Sequence, residues 1–192
     1  MKPISAISSR AQLLKTFALI PYPAPKIPTL EIKGTIARID NHIAVQYVVR
    51  GDDVQNILFP APSSIPARKD NLWKATCFEF FIALKNQPQY WEFNMSPSGN
   101  WNVYAMDAYR QVNMREETVF TQLPFEFRKT NAGVFLDISV DLNPIIQPGN
   151  ILEIGITTII QTDDGSESYW ALAHPGQNAD FHLRDSFTLV VE

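Results

Sequence analysis

The stretch Asp70–Asn71–Leu72–Trp73–Lys74–Ala75–Thr76–Cys77–Phe78–Glu79–Phe80–Phe81–Ile82, followed shortly by Tyr90–Trp91–Glu92–Phe93–Asn94–Met95–Ser96–Pro97–Ser98–Gly99–Asn100–Trp101, decides the fold. Both parts alternate with the period of two that a β-strand imposes on its two faces. Thr76, Phe78, Phe80, Ile82 and Leu84 share an apolar core face, and Cys77, Glu79, Phe81 and Ala83 share the other. Trp91, Phe93 and Met95 likewise oppose Tyr90, Glu92, Asn94 and Ser96. If the two strands pair, Glu79 faces the Glu92, Asn94 and Ser96 row. A third strand over 100–109 adds either Asn102, Tyr104 and Arg110 or Trp101 and Asp107, according to register. Buried charge is costly when isolated, so these groups are paired, solvated or turned toward a ligand. A solvated sheet face with cross-strand polar pairs would carry the same row.

Outward from this hairpin the alternation continues, bounded by Pro, Gly, Asn and Asp. Strands are predicted over 30–39, 43–49, 57–59, 120–130, 133–141, 151–162, 167–173, 180–182 and 187–191. Asp40–Asn41 and Asp163–Asp164–Gly165–Ser166 carry hairpin-turn chemistry. Short helical turns are expected only at Ser9–Leu14 and Met114–Glu117. The reading is an all-β chain: a two-sheet antiparallel β-sandwich of jelly-roll type, one domain over 1–192, with 1–25 as an extended segment packing on it.

The chain has 192 residues, 45% of them apolar and 19% charged, with a net charge of −4 and a pI near 5.4. That balance argues against a phosphate-backbone partner, which needs a basic face, so no nucleic-acid partner is expected. Cys77 is the one cysteine, so no intramolecular disulfide can form. Lys15 interrupts the apolar residues near the start, and no run approaches the about 18–20 residues of a membrane span. A cytoplasmic location without membrane attachment is expected.

Several residues carry candidate chemistry. Trp73, Trp101 and Trp170 are aromatic anchors able to stack on a sugar, whereas Trp91 falls on the core face. Asp180, His182 and His174 have the residue types of a two-histidine, one-carboxylate metal set, though with generic spacing. Met95, Met106 or Met114 with His174 or His182 could supply axial haem ligands. Glu79 and Glu92 could form the carboxyl pair of a glycoside-acting enzyme, which would require a raised pKa on one of them. Arg68 or Arg110 is expected to clamp both as ion pairs and lower both values. Cys77 reads as a small buried apolar group.

The run Asp70-x-Leu72–Trp73-x-x-Thr76–Cys77–Phe78–Glu79, then Tyr90-x-Glu92–Phe93–Asn94-x-Ser96–Pro97-x-Gly99-x-Trp101 and Tyr109–Arg110, resembles the DOMON-like domain proteins. These are relatives of the DOMON and family 9 carbohydrate-binding-module superfamily. Tyr169–Trp170–Ala171–Leu172-x-His174–Pro175 with Asp180–Phe181–His182, and the opening Ile20–Pro21–Tyr22–Pro23, are similar to the same family. The resemblance implies a two-sheet sandwich whose wider superfamily binds sugars or haem. Its sugar-binding members use a pair of exposed Trp residues, for which Trp73, Trp101 and Trp170 are candidates. The leading expectation is non-catalytic binding of a carbohydrate or similar small polar molecule with no cofactor. A haem-binding electron-transfer domain is the alternative, and a glycoside-acting enzyme is third. The expected site gathers Trp101, Tyr104, Arg110 and His174, with Glu79, Asn94, Trp73 and Trp170.

Overall fold

The computed structural model describes residues 14–110 and 114–192. Twelve strands follow in chain order: β1 (Lys15–Pro21), β2 (Glu31–Ile39), β3 (His42–Arg50), β4 (Cys77–Leu84), β5 (Tyr90–Met95), β6 (Trp101–Met106), β7 (Arg115–Glu116), β8 (Phe125–Thr130), β9 (Gly133–Asp141), β10 (Leu152–Gln161), β11 (Glu167–Ala171) and β12 (Leu189–Val191). All pairings between these strands are antiparallel. The first sheet runs β1–β2–β3–β9–β8 and the second β7–β6–β5–β4–β10–β11, with β12 beside β10. β1 serves both sheets: Lys15–Leu19 pair with β2, while Ile20 and Pro21 pair with β11. The architecture is the expected β-sandwich, joined along one side by a shared strand.

Local chemistry sets the registers. Asp40 and Asn41 both have positive φ, 46° and 63°, the backbone of a tight two-residue hairpin turn. That turn fixes Ile39 opposite His42, which turns Ile32, Ile36, Ile43, Val45, Tyr47 and Val49 into the core. Gly34 lies opposite Tyr47, and the Phe17 ring occupies the space a side chain there would need. In the second sheet Phe80 stacks on Phe93 at 4.5 Å, and the Tyr47 hydroxyl crosses the interior to donate to the Glu79 carbonyl at 2.6 Å. Gly165, at φ 82°, closes the β10–β11 hairpin with open space around it. Gly165→Ala should therefore cost about 1 kcal/mol through the left-handed backbone alone, read as a small drop in Tm.

The second sheet is buried on both faces. Phe81, Ala83, Tyr90, Tyr104, Met106, Ile159 and Ala171 on its outer face form a second apolar cluster with Phe181 and Phe187. Residues 172–188 supply that cover. Arg184 fastens the segment, donating to Glu153 at 2.5 and 2.8 Å and to the carbonyls of Leu84 and Gln87.

Several expectations change here. Residues 180–182 form turns rather than a strand, and residues 184–186 make a short 3-10 turn before β12. Met114–Glu117 contains β7, not a helical turn, because Arg115 and Glu116 pair with Ala105 and Tyr104. Asp52–Asn56 form a 3-10 turn, and Ile57 makes only an isolated bridge to Thr162. Most of the other predicted helical turn, Ser9–Leu14, lies outside the described residues.

Candidate functional site

The outer face of β4, β5 and β10 carries its polar groups in one patch. Pairing places Glu79 opposite Asn94 on one side and Thr157 on the other, with Glu92 opposite Phe81 and Tyr104. Glu79 and Glu92 are therefore diagonal neighbours on one face, a separation of about 7–8 Å between such backbone positions. Both are almost fully buried, at 2% and 4% exposure. Thr157 donates to Glu79 Oε2 at 3.1 Å, whereas Glu79 Oε1 is buried and has no hydrogen-bond partner among the described residues. Asn94 donates to Glu92 Oε1 at 2.7 Å, and the Cys77 thiol lies 3.7 Å from the Asn94 carbonyl oxygen.

A cavity of about 300 Å³ opens over these carboxyls. Trp73, Phe81, Ile159, Tyr169, Phe181 and Met114 supply most of its apolar wall, and Arg110 and His182 are its other polar members. Arg110, itself at φ 43°, holds Asp180 in a two-point contact at 3.0 and 3.1 Å. Tyr109 donates to the same carboxylate at 2.6 Å, and the His182 backbone amide donates to it at 3.0 Å. Burial would raise the Asp180 pKa, but these donors outweigh it and hold the group below its ordinary value. A shallow depression of about 270 Å³ on the first sheet, between Lys33, Gln46 and Arg50, has no comparable buried polar floor.

The electrostatics of the floor run opposite to the expected arginine clamp. Burial pushes the Glu79 carboxyl well above its ordinary value, and the neighbouring Glu92 pushes it further. Burial raises Glu92 to about 7, against the lowering effects of Asn94 and Arg110. Burial also drives His182 down to about 4, helped by Arg110. The 3.9 Å approach of His182 Nε2 to Glu92 is therefore not an ion pair at neutral pH, since the imidazole is uncharged. The other ring nitrogen of His182 lies 3.0 Å from the Tyr90 hydroxyl, whose pKa burial lifts to about 12.

Neither arginine clamps the glutamates. Arg110 binds Asp180. Arg68 donates to Asn102 Oδ1 at 2.6 Å and to the carbonyls of Phe120, Glu117 and Val103, with its guanidinium 4.5 Å from the Trp101 ring centre.

Of the expected residues, Glu79, Trp73 and Arg110 come together at the cavity. Trp101 and Trp170 do not. Both share the parity of core residues, are 5% and 3% exposed, and point into the sandwich interior. Trp101, an odd three positions from Tyr104 in β6, cannot share its face, and the same holds for Trp170 beside Tyr169. Asn94 lies beneath the cavity, orienting Glu92. The Tyr104 hydroxyl is spent on Asp70 and Asn102, while its ring packs edge-on against Trp73. His174 is bound to the Ile20 carbonyl and packs on Tyr22 and Phe181, outside the cavity lining. Glu92, Tyr169, Phe181, Met114 and His182 complete the site. Tyr169 could have been found by parity, since it pairs with Ile159, whereas residues brought by turns have no periodic signal.

The candidate cofactor sets are not assembled. Met95 is in the core and Met106 is packed under the outer face, which leaves Met114 and His182 at one cavity. Both nitrogens of His182 face protein groups, so these residues do not fit axial haem ligation. Among the described residues no three His, Cys, Asp or Glu side chains are grouped to hold a metal ion.

No protein-family model matches the sequence, and no curated protein matches it. Solved structures do share its fold. A "putative carbohydrate-binding protein" from Bacteroides uniformis superposes with a TM-score of 0.58 at 12% identity, covering 90% of this chain and 84% of that one. A family 9 carbohydrate-binding module from Caldicellulosiruptor kristjanssonii, solved with cellotriose, gives 0.55 at 12% identity, covering 91% and 80%. The chain thus has a family 9 carbohydrate-binding-module-like sandwich fold.

Proposed function

We propose that the chain is a binding module for a carbohydrate or related small polyol, held in the cavity between β4, β5 and the 172–188 cover, and that it belongs with the DOMON-like branch of this fold. The observation that carries the reading is the cavity's composition: aromatic walls around a floor of two buried carboxyls with an acceptor left unpartnered. Sugar rings present apolar C–H faces to aromatic side chains and hydroxyl donors to carboxylates, so this arrangement suits both parts of the ligand. Its volume lies at the lower end of the range for small-molecule sites, about 300–1,000 Å³, which suits one sugar unit more than an embedded chain. The carbohydrate-binding descriptions of the two solved structures support the same reading.

A glycan array followed by calorimetry tests it. Trp73→Ala and Tyr169→Ala are expected to weaken binding about tenfold or more each while the protein stays folded, as stacking contacts of about 1–1.5 kcal/mol and their buried area are lost. Absence of binding to every glycan in the wild type would end this reading.

Glycoside hydrolysis is a second reading, favoured by the raised Glu79 and Glu92 values that a catalytic acid needs. New reducing ends appearing in oligosaccharide incubations, and lost in Glu92→Gln, would establish it.

A further inference from the structure

The cavity's two glutamates lack a cationic partner among the described residues. Arg110 is the only cation lining it among the described residues, and its guanidinium is held two-point by Asp180, which also takes the Tyr109 hydroxyl. His182 turns one ring nitrogen to Tyr90 and the other toward Glu92. That leaves two carboxyls, Glu79 and Glu92, facing one space without a cationic partner among the described residues. Glu79 Oε1 is the sharpest case: the residue is 2% exposed, lines the cavity, and that oxygen has no hydrogen-bond partner among the described residues. A buried acceptor left without a donor costs free energy that a ligand's donor would recover. Asn94 occupies Glu92 Oε1, while Oε2 has only the distant His182 ring nitrogen, at 3.9 Å, beside it among the described residues.

We propose that the cavity selects a ligand bearing a primary ammonium group, seating that group between Glu79 and Glu92, and that its natural ligand class is the amino sugars. The inference rests on the carbohydrate reading above and narrows it. A hydroxyl offers one donor and no charge, whereas an ammonium offers three donors and a positive charge, matching two acceptor groups that are diagonal neighbours. The walls favour the same group. Trp73, Tyr169 and Phe181 place aromatic rings around the floor, and ring faces attract cations in a desolvated site. An acetamido group in the same position would bring a carbonyl toward two acceptors and lose the charge.

Three β-1,4-linked trisaccharides, of glucose, glucosamine and N-acetylglucosamine, separate the possibilities in calorimetry at pH 6.5. The glucosamine trimer is expected to bind at least about tenfold tighter than cellotriose, with the N-acetylated trimer no tighter than cellotriose. Binding of the ammonium should also expel protons from the carboxyls, seen as a dependence of the heat on buffer ionisation enthalpy that cellotriose lacks. Glu79→Gln should remove most of the preference, and Glu92→Gln, read in parallel with thermal melts to confirm folding, should do the same. Equal binding of cellotriose and the glucosamine trimer would overturn this inference and leave the polyol reading intact. Binding of none of the three would overturn this inference, with the wider glycan array then deciding the polyol reading separately.

Discussion

Between about pH 6.5 and 8.5 the protein is expected to lose stability as the pH rises, and Glu79→Gln is expected to remove most of that slope. Glu79 is held by burial, and by the adjacent Glu92, well above its ordinary value. In the unfolded chain it ionises as an ordinary glutamate. Between those two values the folded state keeps a proton that the unfolded state has released, so each rise in pH favours unfolding. One such proton is worth about 1.4 kcal/mol per pH unit wherever the folded state still holds it and the unfolded state has released it.

The window matters because other groups act in the opposite sense below it. His182 is depressed to about 4 from 6.5, and burial also lowers His174, so each costs stability as the pH falls below 6.5. There they offset the glutamates. Glu92, raised to about 7, adds only at the low end of the window. Above it, the buried Cys77 thiol, pushed up from 9.0, would add a further loss. Urea unfolding at pH 6.5, 7.5 and 8.5 measures the slope. Glu79→Gln retains an oxygen for Thr157, carries no charge, and should be more stable than wild type at pH 8.5. A wild-type stability flat across the window would mean that Glu79 is ionised in the folded protein.

The same carboxyls show what a sequence can and cannot carry about such a site. Alternation alone predicts that Glu79, Glu92 and Asn94 share a face opposite Phe78, Phe80 and Phe93, because a strand has only two faces. Asp40–Asn41 predicts its hairpin because few residue pairs accept two positive φ values. Trp101 and Trp170 could not be placed by residue type, since a tryptophan stacks on a sugar or fills a core equally well. Parity with Val103 in one strand, and with Ser168 in the other, decides for the interior. The cover over residues 172–188 was least legible. Its hold comes from Phe181, Phe187 and Arg184 reaching across to Phe81, Tyr90 and Glu153, contacts between distant segments that leave no period. Without that cover the carboxyls would be solvated, and the raised values of Glu79 and Glu92 would lose their main cause, burial.

Arg68 and Arg110 provide the sharpest contrast, because the sequence suggests one role for both and the structure separates them. Arg68→Ala is expected to destabilise the protein by about 2–4 kcal/mol, whereas Arg110→Ala should cost less than about 1 kcal/mol. Arg68 is partly buried and ties β6 to the chain following β7, through Asn102, Val103, Glu117 and Phe120. Its removal leaves several acceptors without a donor and uncovers the face of Trp101, where the guanidinium contributes a further cation–π attraction. Arg110 is 55% exposed on its side chain, and its pairing with Asp180 is a surface ion pair whose worth is reduced by solvent. Its influence falls on the cavity instead. Arg110 lowers the Glu92 pKa and also lowers that of His182, so Arg110→Ala should shift both titrations upward while the fold persists. Urea midpoints and NMR titration of the His182 ring and Glu92 carboxyl read the two effects separately. A large stability loss in Arg110→Ala with unchanged titrations would reassign that residue from the cavity to the framework.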